Sequence, residues 1–198
     1  MGRVADPAHR AELLERVAAY AYKNGIADLS LRPLARAVGS SPRVLLYYFS
    51  SKQELVLEIL SRARARQQAV FERLRSADGA SPLESCRAIW AEMSAAKALP
   101  GFRLFFEVYG MALRNRRRFA GFLAHAVEDW LVFLEAPFAR DGCSRGEARA
   151  RATIILAGFR GFLLDLCATN DRARVGRAVE LWLDALVARL KPAAKAIG

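Results

Sequence analysis

With 198 residues and a formal net charge of +11, the chain is long enough to bury a sizeable core, and its basic balance favours an anionic partner such as nucleic acid or a membrane surface. Its three cysteines, Cys86, Cys143 and Cys167, are odd in number and lack metal-ligand spacing, which argues against a disulfide framework or zinc site; Cys143, beside Gly142 in an expected loop, is the one to test as a thiol sensor. Met1 to Arg10 holds no apolar run and no window approaches the roughly 18 uncharged apolar residues of a membrane span, so a cytoplasmic protein is expected.

Leu13, Leu14, Val17, Ala18 and Ala21 recur at helical spacing and predict a first helix from about His9 to Asn24, with Gly25 as its C-cap. The next stretch, Ser30 to Lys52, reads SLRPLARAVGSSPRVLLYYFSSK and is the most informative part of the chain. Ser30 is a candidate N-cap, Pro33 lies in a first turn, and Leu31, Leu34, Ala35 and Val38 share one face. Gly39 ends this short helix. Ser41 caps another, with Pro42 at its first position and Val44, Leu45 and Tyr48 or Phe49 turned inward. Two short helices about a tight Gly-containing turn are the sequence form of a helix-turn-helix, whose second helix lies in the DNA major groove. No acidic residue occurs from Leu29 to Gln53, whereas Arg32, Arg36, Arg43 and Lys52 do, so phosphates would meet little repulsion. A small amphipathic helix pair with a basic solvated face is the competing reading.

Ser50 or Ser51 caps a long fourth helix, on which Arg62, Arg64, Arg66, Arg73 and Arg75 read as a solvated face. Lys52 opposes the dipole at that helix's start and is read as a phosphate contact. After a break at Ala77 to Ala80, Ser81-Pro82-Leu83-Glu84 has capping-box spacing and opens a helix to about Ala98. Pro100-Gly101 opens another. Arg114 to Arg118 interrupts it, as a solvated turn or a site for an acidic partner, and the helical period resumes from Phe119 until a loop expected at Pro137 to Ser144. Ser144 to Glu147 repeats the capping pattern for a helix to about Ala168, and a last helix spans about Asp171 to Leu190, before a short basic tail at Lys191 to Gly198. His125, within an apolar stretch, is expected in a core or pocket.

Small residues at Ala157, Gly158 and Gly161 and broad apolar coverage predict that the last two helices face both their own core and a second subunit, with Ile155, Gly158, Phe159, Phe162, Val179, Trp182, Leu183 and Leu186 as candidate dimer contacts. Trp90, Phe102, Phe105, Phe106, Phe122, Trp130, Phe133, Phe159 and Phe162 are candidates to line a ligand pocket, ordinary core packing being the alternative for each. There is no convincing strand, nucleophile with a base, metal cluster or Gly-rich phosphate loop, so neither an enzyme nor a cofactor is expected.

Leu34-Ala35, Gly39, Leu45, Tyr47, Phe49, Lys52 and Leu55 fall where the TetR (tetracycline-repressor) family of bacterial regulators has its I-A-x-x-A-G-V-S-x-x-x-L-Y-x-x-F-x-x-K-x-x-L signature, and the chain resembles that family. It departs from the pattern at Ser40, at Leu46, where the family usually has a tyrosine that touches phosphate, and at Ala21, where it has an aromatic residue. Leucine cannot bond phosphate, so that role would be absent or passed to Tyr47 or Tyr48. The resemblance implies an all-α homodimer with a three-helix helix-turn-helix domain at residues 1–50 and a larger helical ligand-binding and dimerisation domain at 51–198, joined through the helix that starts near residue 52. It also implies double-stranded operator DNA and a small-molecule inducer as partners, and makes Arg3 and Arg10 candidate auxiliary phosphate contacts, simple solvation being the favoured alternative for both. Arg43 is the expected base reader, with Pro42 and Val44 against thymine methyls, Arg32 on a base or phosphate, and Ser30, Ser41, Tyr47, Tyr48 and Lys52 on phosphates. A non-specific nucleic-acid or anionic-surface binding helical protein is the alternative function.

Overall fold

In the computed structural model, residues 6–26, 29–75 and 81–190 are described, and every regular element among them is an α-helix. In chain order these are α1 Pro7–Asn24, α2 Leu31–Ala37, α3 Pro42–Phe49, α4 Lys52–Arg75, α5 Pro82–Ser94, α6 Leu99–Arg114, α7 Ala120–Arg140, α8 Arg145–Thr169 and α9 Arg172–Leu190. The expected break at residues 77–80, the basic tail after 190 and Arg3 lie outside the described residues.

Packing divides the chain into two units, residues 1–72 with 100–124 and residues 73–99 with 125–198. In the first, the apolar stripe of α1 (Leu13, Leu14, Val17, Ala21) meets Leu34 and Ala35 of α2, Leu45 and Phe49 of α3, and Leu55, Val56 and Ile59 of α4. The same core takes in Leu104, Val108 and Ala112 of α6 and Phe119 just beyond it. Burying these side chains is the main force holding the short α2 and α3, since helices of seven or eight residues are not stable alone.

Helix ends follow local chemistry. α1 starts two residues before its expected N-terminus, because the Asp6 carboxylate accepts from the Ala8 N–H at 2.9 Å and Pro7 occupies the first turn. α5 carries the full capping box, the Ser81 hydroxyl accepting from the Glu84 N–H and the Glu84 carboxylate from the Ser81 N–H. It ends at Ser94, short of the expected Ala98. At α8 the Ser144 hydroxyl accepts from the Glu147 N–H, while the Glu147 carboxylate turns to Arg151.

The loop expected from Pro137 is helical to Arg140. Pro137 removes one N–H, but it lies in the last turn, where the buried Leu134, Pro137 and Phe138 side chains hold the helix. The stop comes instead at Gly142, φ 84°, where the Cys143 N–H bonds to the Phe138 carbonyl and the Gly142 N–H to that of Ala139. His125, expected in a core or pocket, is exposed, with Nδ1 3.6 Å from Asp129 Oδ1 one turn on. Helical spacing put it among apolar neighbours in sequence, but α7 turns it outward.

In the second unit α5, α8 and α9 pack together. Trp90 stacks on Phe159, centroids 5.7 Å apart, and Trp182 contacts both Phe159 and Phe162. Ion pairs register the helices: Arg87 of α5 bonds Glu180 and Asp184 of α9, Arg149 of α8 bonds Glu128 and Glu135 of α7, and Arg174 of α9 bonds Asp165 of α8. α8 is long and apolar enough to cross a membrane by length and composition, contrary to the expectation that no window approaches that limit. Its Ala152, Ile155, Leu156, Phe159, Leu163 and Leu166 are buried in the core of the unit.

Candidate nucleic-acid interface

The candidate interface is built by two turns. After α2, Gly39 adopts φ 65°, which lets the Ser40 N–H reach the Ala35 carbonyl and the Gly39 N–H that of Arg36. This paired closure ends α2 and redirects the chain. Ser41 then caps α3, its hydroxyl accepting from the Val44 N–H at 3.2 Å, with Pro42 in the first turn. Ser50 closes α3 at φ 60°, uncommon for a residue with a Cβ, and the Ser51 hydroxyl caps α4 by accepting from the Glu54 N–H. Of the two cap candidates for α4, Ser51 therefore serves, and Lys52 follows at the first helical position, exposed.

Within this frame α3 has an inner and an outer face. Leu45 and Phe49 are buried, and Val44 and Tyr48 are half-buried against the same core. Arg43, Leu46, Tyr47 and Ser50 are exposed at positions that share one side of the helix, with Tyr47 at 55% and Leu46 at 41% of full exposure. Tyr48 packs its ring 5.5 Å from that of His9 and 5.1 Å from that of Tyr47. Ser30 is exposed and its side chain does not cap α2; Arg32 and Arg36 are exposed on α2, Ser41 is exposed and Pro42 is half-buried. The outer face thus combines guanidinium groups, a phenol and an apolar side chain, with no carboxylate from Leu29 to Gln53. Leu46 belongs to it, which the family pattern concealed by marking the position as a missing tyrosine.

The helices behind are tied by contacts that sequence reasoning missed. Arg10 pairs with Glu58 and lies over the Phe49 ring, so it faces the unit itself. Glu15 pairs with Arg62 and with Arg66, which also lies over the Tyr22 ring at 5.3 Å. Those two arginines fasten α4 to α1 and are not a merely solvated row. Glu107 of α6 accepts from the Ile26 N–H at 2.8 Å.

The nine candidate pocket aromatics fall into both units. In the first, Phe102, Phe105, Phe106 and Phe122 are half-buried, and Phe105 meets Phe106 and Phe122 at centroid distances of 5.4 and 5.9 Å. In the second, Trp90 and Phe159 are buried with Phe162 beside them, while Trp130 contacts Phe133, over whose ring Arg75 lies. A cleft of about 600 Å³ in the first unit, lined by Tyr22, Lys23, Gly25, Arg103, Leu104 and Glu107 among others, holds none of the nine. Of the candidate dimer residues, Ile155, Phe159, Val179 and Leu183 are buried within their own unit, and Phe162, Trp182, Gly158 and Leu186 are half-buried. Among the described residues, the large apolar side chains of α8 and α9 that face outward are Ile154, Leu164 and Leu181.

Burial pushes the Cys86 thiol up to about 12, whereas Cys143 and Cys167 are half-buried. Among the described residues no three His, Cys, Asp or Glu side chains group to hold a metal ion.

Residues 13–59 match the family model of the bacterial regulatory proteins, tetR family. Among curated proteins none matches the chain. Among solved structures, a transcriptional regulator from Rhodococcus sp. Rha1 superposes with a TM-score of 0.77 at 17% identity, over 92% of this chain and 99% of that one. A TetR-family transcriptional regulator from Agrobacterium tumefaciens gives 0.66 at 24% identity, over 91% and 98%. The multidrug binding protein EbrR, solved with imidazole, gives 0.66 at 23% identity, over 98% and 96%. At these identities the likeness is one of fold, and it spans nearly the whole chain.

Proposed function

We propose that this chain, whose residues 13–59 match the tetR family model and whose fold is shared with a TetR-family transcriptional regulator over most of its length, is a cytoplasmic, ligand-responsive repressor without catalytic activity. It binds a palindromic operator as a homodimer and is released by a small apolar or aromatic inducer. The observation that carries this reading is the outer face of α3, where Arg43, Leu46 and Tyr47 are exposed together beside the exposed cations of α2 and Lys52.

Each side chain on that face has a task. Arg43 offers two parallel donors to the guanine O6 and N7 edge, and Leu46 offers methyl contact to thymine, a role that half-buried Val44 is less free to take. Tyr47 replaces the missing tyrosine at position 46 as a phosphate donor. Ser30, Ser41 and Lys52 hold phosphates and fix register, Arg32 reaches a base or phosphate, and Tyr48, packed on His9, supports from behind.

Two copies supply the symmetry. Pairing α8 and α9 with their counterparts in a four-helix bundle would cover Ile154, Leu164 and Leu181, which otherwise stay in water. The two α3 helices would then meet successive major grooves roughly 34–36 Å apart. The ligand-bound state of EbrR supports a small-molecule site in this fold, and the half-buried aromatics of α6 and α7 favour an apolar or aromatic inducer. Such a ligand releases DNA only by binding the DNA-incompetent conformer more tightly than the competent one.

The deciding experiment is selection of bound duplexes from a random pool at two salt concentrations. An enriched palindrome that survives the higher salt is the expected result. Retention of all sequences alike would favour non-specific polyanion binding instead.

A further inference from the structure

On α6 the residues that face the core of the first unit are Leu104, Val108 and Ala112, buried at 3%, 0% and 0% exposure. Glu107 lies between Leu104 and Val108 on the same side of the helix, where periodicity would place an apolar residue. Glu107 is half-buried there, at the edge of the cleft that it lines, so a carboxylate can be kept at this position. Its Oε1 accepts from the Ile26 N–H at 2.8 Å, across 81 residues of sequence. Ile26 is itself 1% exposed, so its backbone donor needs a partner and this one supplies it.

The other side of the contact is fitted to the same group. Gly25, φ 77°, has no side chain, and a Cβ at that position would come within 2.7 Å of Glu107 Oε2. Gly25 also caps α1, its N–H bonding to the Ala21 carbonyl. The carboxylate therefore stands at the carbonyl end of α1, where the helix dipole repels negative charge. The bond to the Ile26 N–H is directional and works against an unfavourable field, so a displacement of α6 that lengthens it weakens the hold on this turn. Residues 100–124 belong to the first unit and are covalently flanked on both sides by segments of the second, 73–99 and 125–198.

We propose that Glu107 is the positioning residue through which α6 sets the placement of α2 and α3, by holding the turn at Gly25-Ile26 from which the helix-turn-helix is hung. This rests on the DNA-reading function proposed for α3. No phosphate or base contact is assigned to Glu107; it acts through the Ile26 amide.

The test compares full-length wild type with Glu107→Ala, Glu107→Gln and Gly25→Ala. Amide hydrogen exchange is followed without DNA, and operator affinity is titrated against salt well below the melting temperature, with the selected operator. Glu107→Ala should accelerate exchange across residues 31–49 as well as at Ile26. It should also weaken operator binding roughly tenfold with an unchanged salt slope, since every phosphate-binding side chain remains. Glu107→Gln, whose amide oxygen still accepts from Ile26, should stay near wild type in both readouts. Gly25→Ala, which keeps the carboxylate but displaces it, should resemble Glu107→Ala and serves if that variant does not fold. A rise in exchange confined to Ile26, or wild-type operator affinity in both Glu107→Ala and Gly25→Ala, would overturn the proposal. If wild type selects no operator, the DNA-reading function fails, and the exchange measurements still decide whether Glu107 orders α2 and α3.

Discussion

Gly158 of α8 lies so close beneath the Trp182 indole of α9 that a Cβ at position 158 would overlap the ring. The glycine is thus explained by a contact within one chain, although its spacing with Ala157 and Gly161 also suits an intersubunit approach. Gly158→Ala should destabilise the second unit by about 1–3 kcal/mol, the usual range for overpacking. At this chain length each kcal/mol lowers Tm by roughly 2–4 °C, readable by calorimetry. Trimming the indole with Trp182→Leu in the same chain should recover part of the stability; additive losses in the double variant would contradict the contact.

Arg43 and Lys52 should fail differently. Arg43→Ala should cost about 1–3 kcal/mol on the selected operator and relax preference at one base pair, because a bidentate reader is removed. Lys52→Ala should weaken all duplexes alike and reduce the salt slope by about 1. Fluorescence anisotropy on the operator and a scrambled duplex separates the two patterns. Equal weakening on both duplexes after Arg43→Ala would remove that residue as a reader.

Leu181, 73% exposed, and Leu183, 1% exposed, stand two residues apart on α9 and test the dimer face. Leu181→Glu should shift sedimentation from dimer to monomer at micromolar concentration while leaving helical content intact, because its side chain is not part of the chain's own core. Leu183→Glu should instead abolish folding by burying a charge. A Leu181→Glu protein that stays dimeric would show that this face is not the interface.

Acid should loosen the joints of α8 with α7 and with α9. The hydrogen bond from Arg149 holds Glu128 below its ordinary value of 4.5, and that from Arg174 holds Asp165 below 3.8. Carboxylates depressed in the folded state stabilise it above their unfolded pKa, and that contribution is lost as pH falls through the folded value. Tm should therefore fall below about pH 4.5, and Arg149→Ala should make that acid limb shallower. Both groups are exposed, so the effect should shrink in high salt. An unchanged acid limb in Arg149→Ala would rule the pair out as a contributor.

What could be read from the sequence was what local chemistry decides. The Gly39 turn, the Ser41 cap with Pro42, and the Ser81 to Glu84 capping box need only a few adjacent residues, and each is present. Pro137 misled because a turn signal was outweighed by burial of its ring and its neighbours. His125 and the α8–α9 residues show the limit of periodicity, which identifies a broad apolar helix but not which side meets its own core. Glu107 with Ile26, and Glu15 with Arg62 and Arg66, gave no warning, since an ion pair or hydrogen bond between residues so far apart in sequence leaves no mark on neighbouring positions.

The division of the first unit into residues 1–72 and 100–124 also bears on the order in which the protein is made. A nascent chain that has emerged only through α4 lacks Leu104, Val108, Ala112 and Phe119, and with them part of the apolar interior on which α1 to α4 close. At the ordinary pace of roughly 5–20 residues per second, the ribosome adds that missing segment only seconds later. The helix-turn-helix therefore gains its full support late in synthesis, and an N-terminal fragment cut after α4 should be less stable than the same residues in the finished chain.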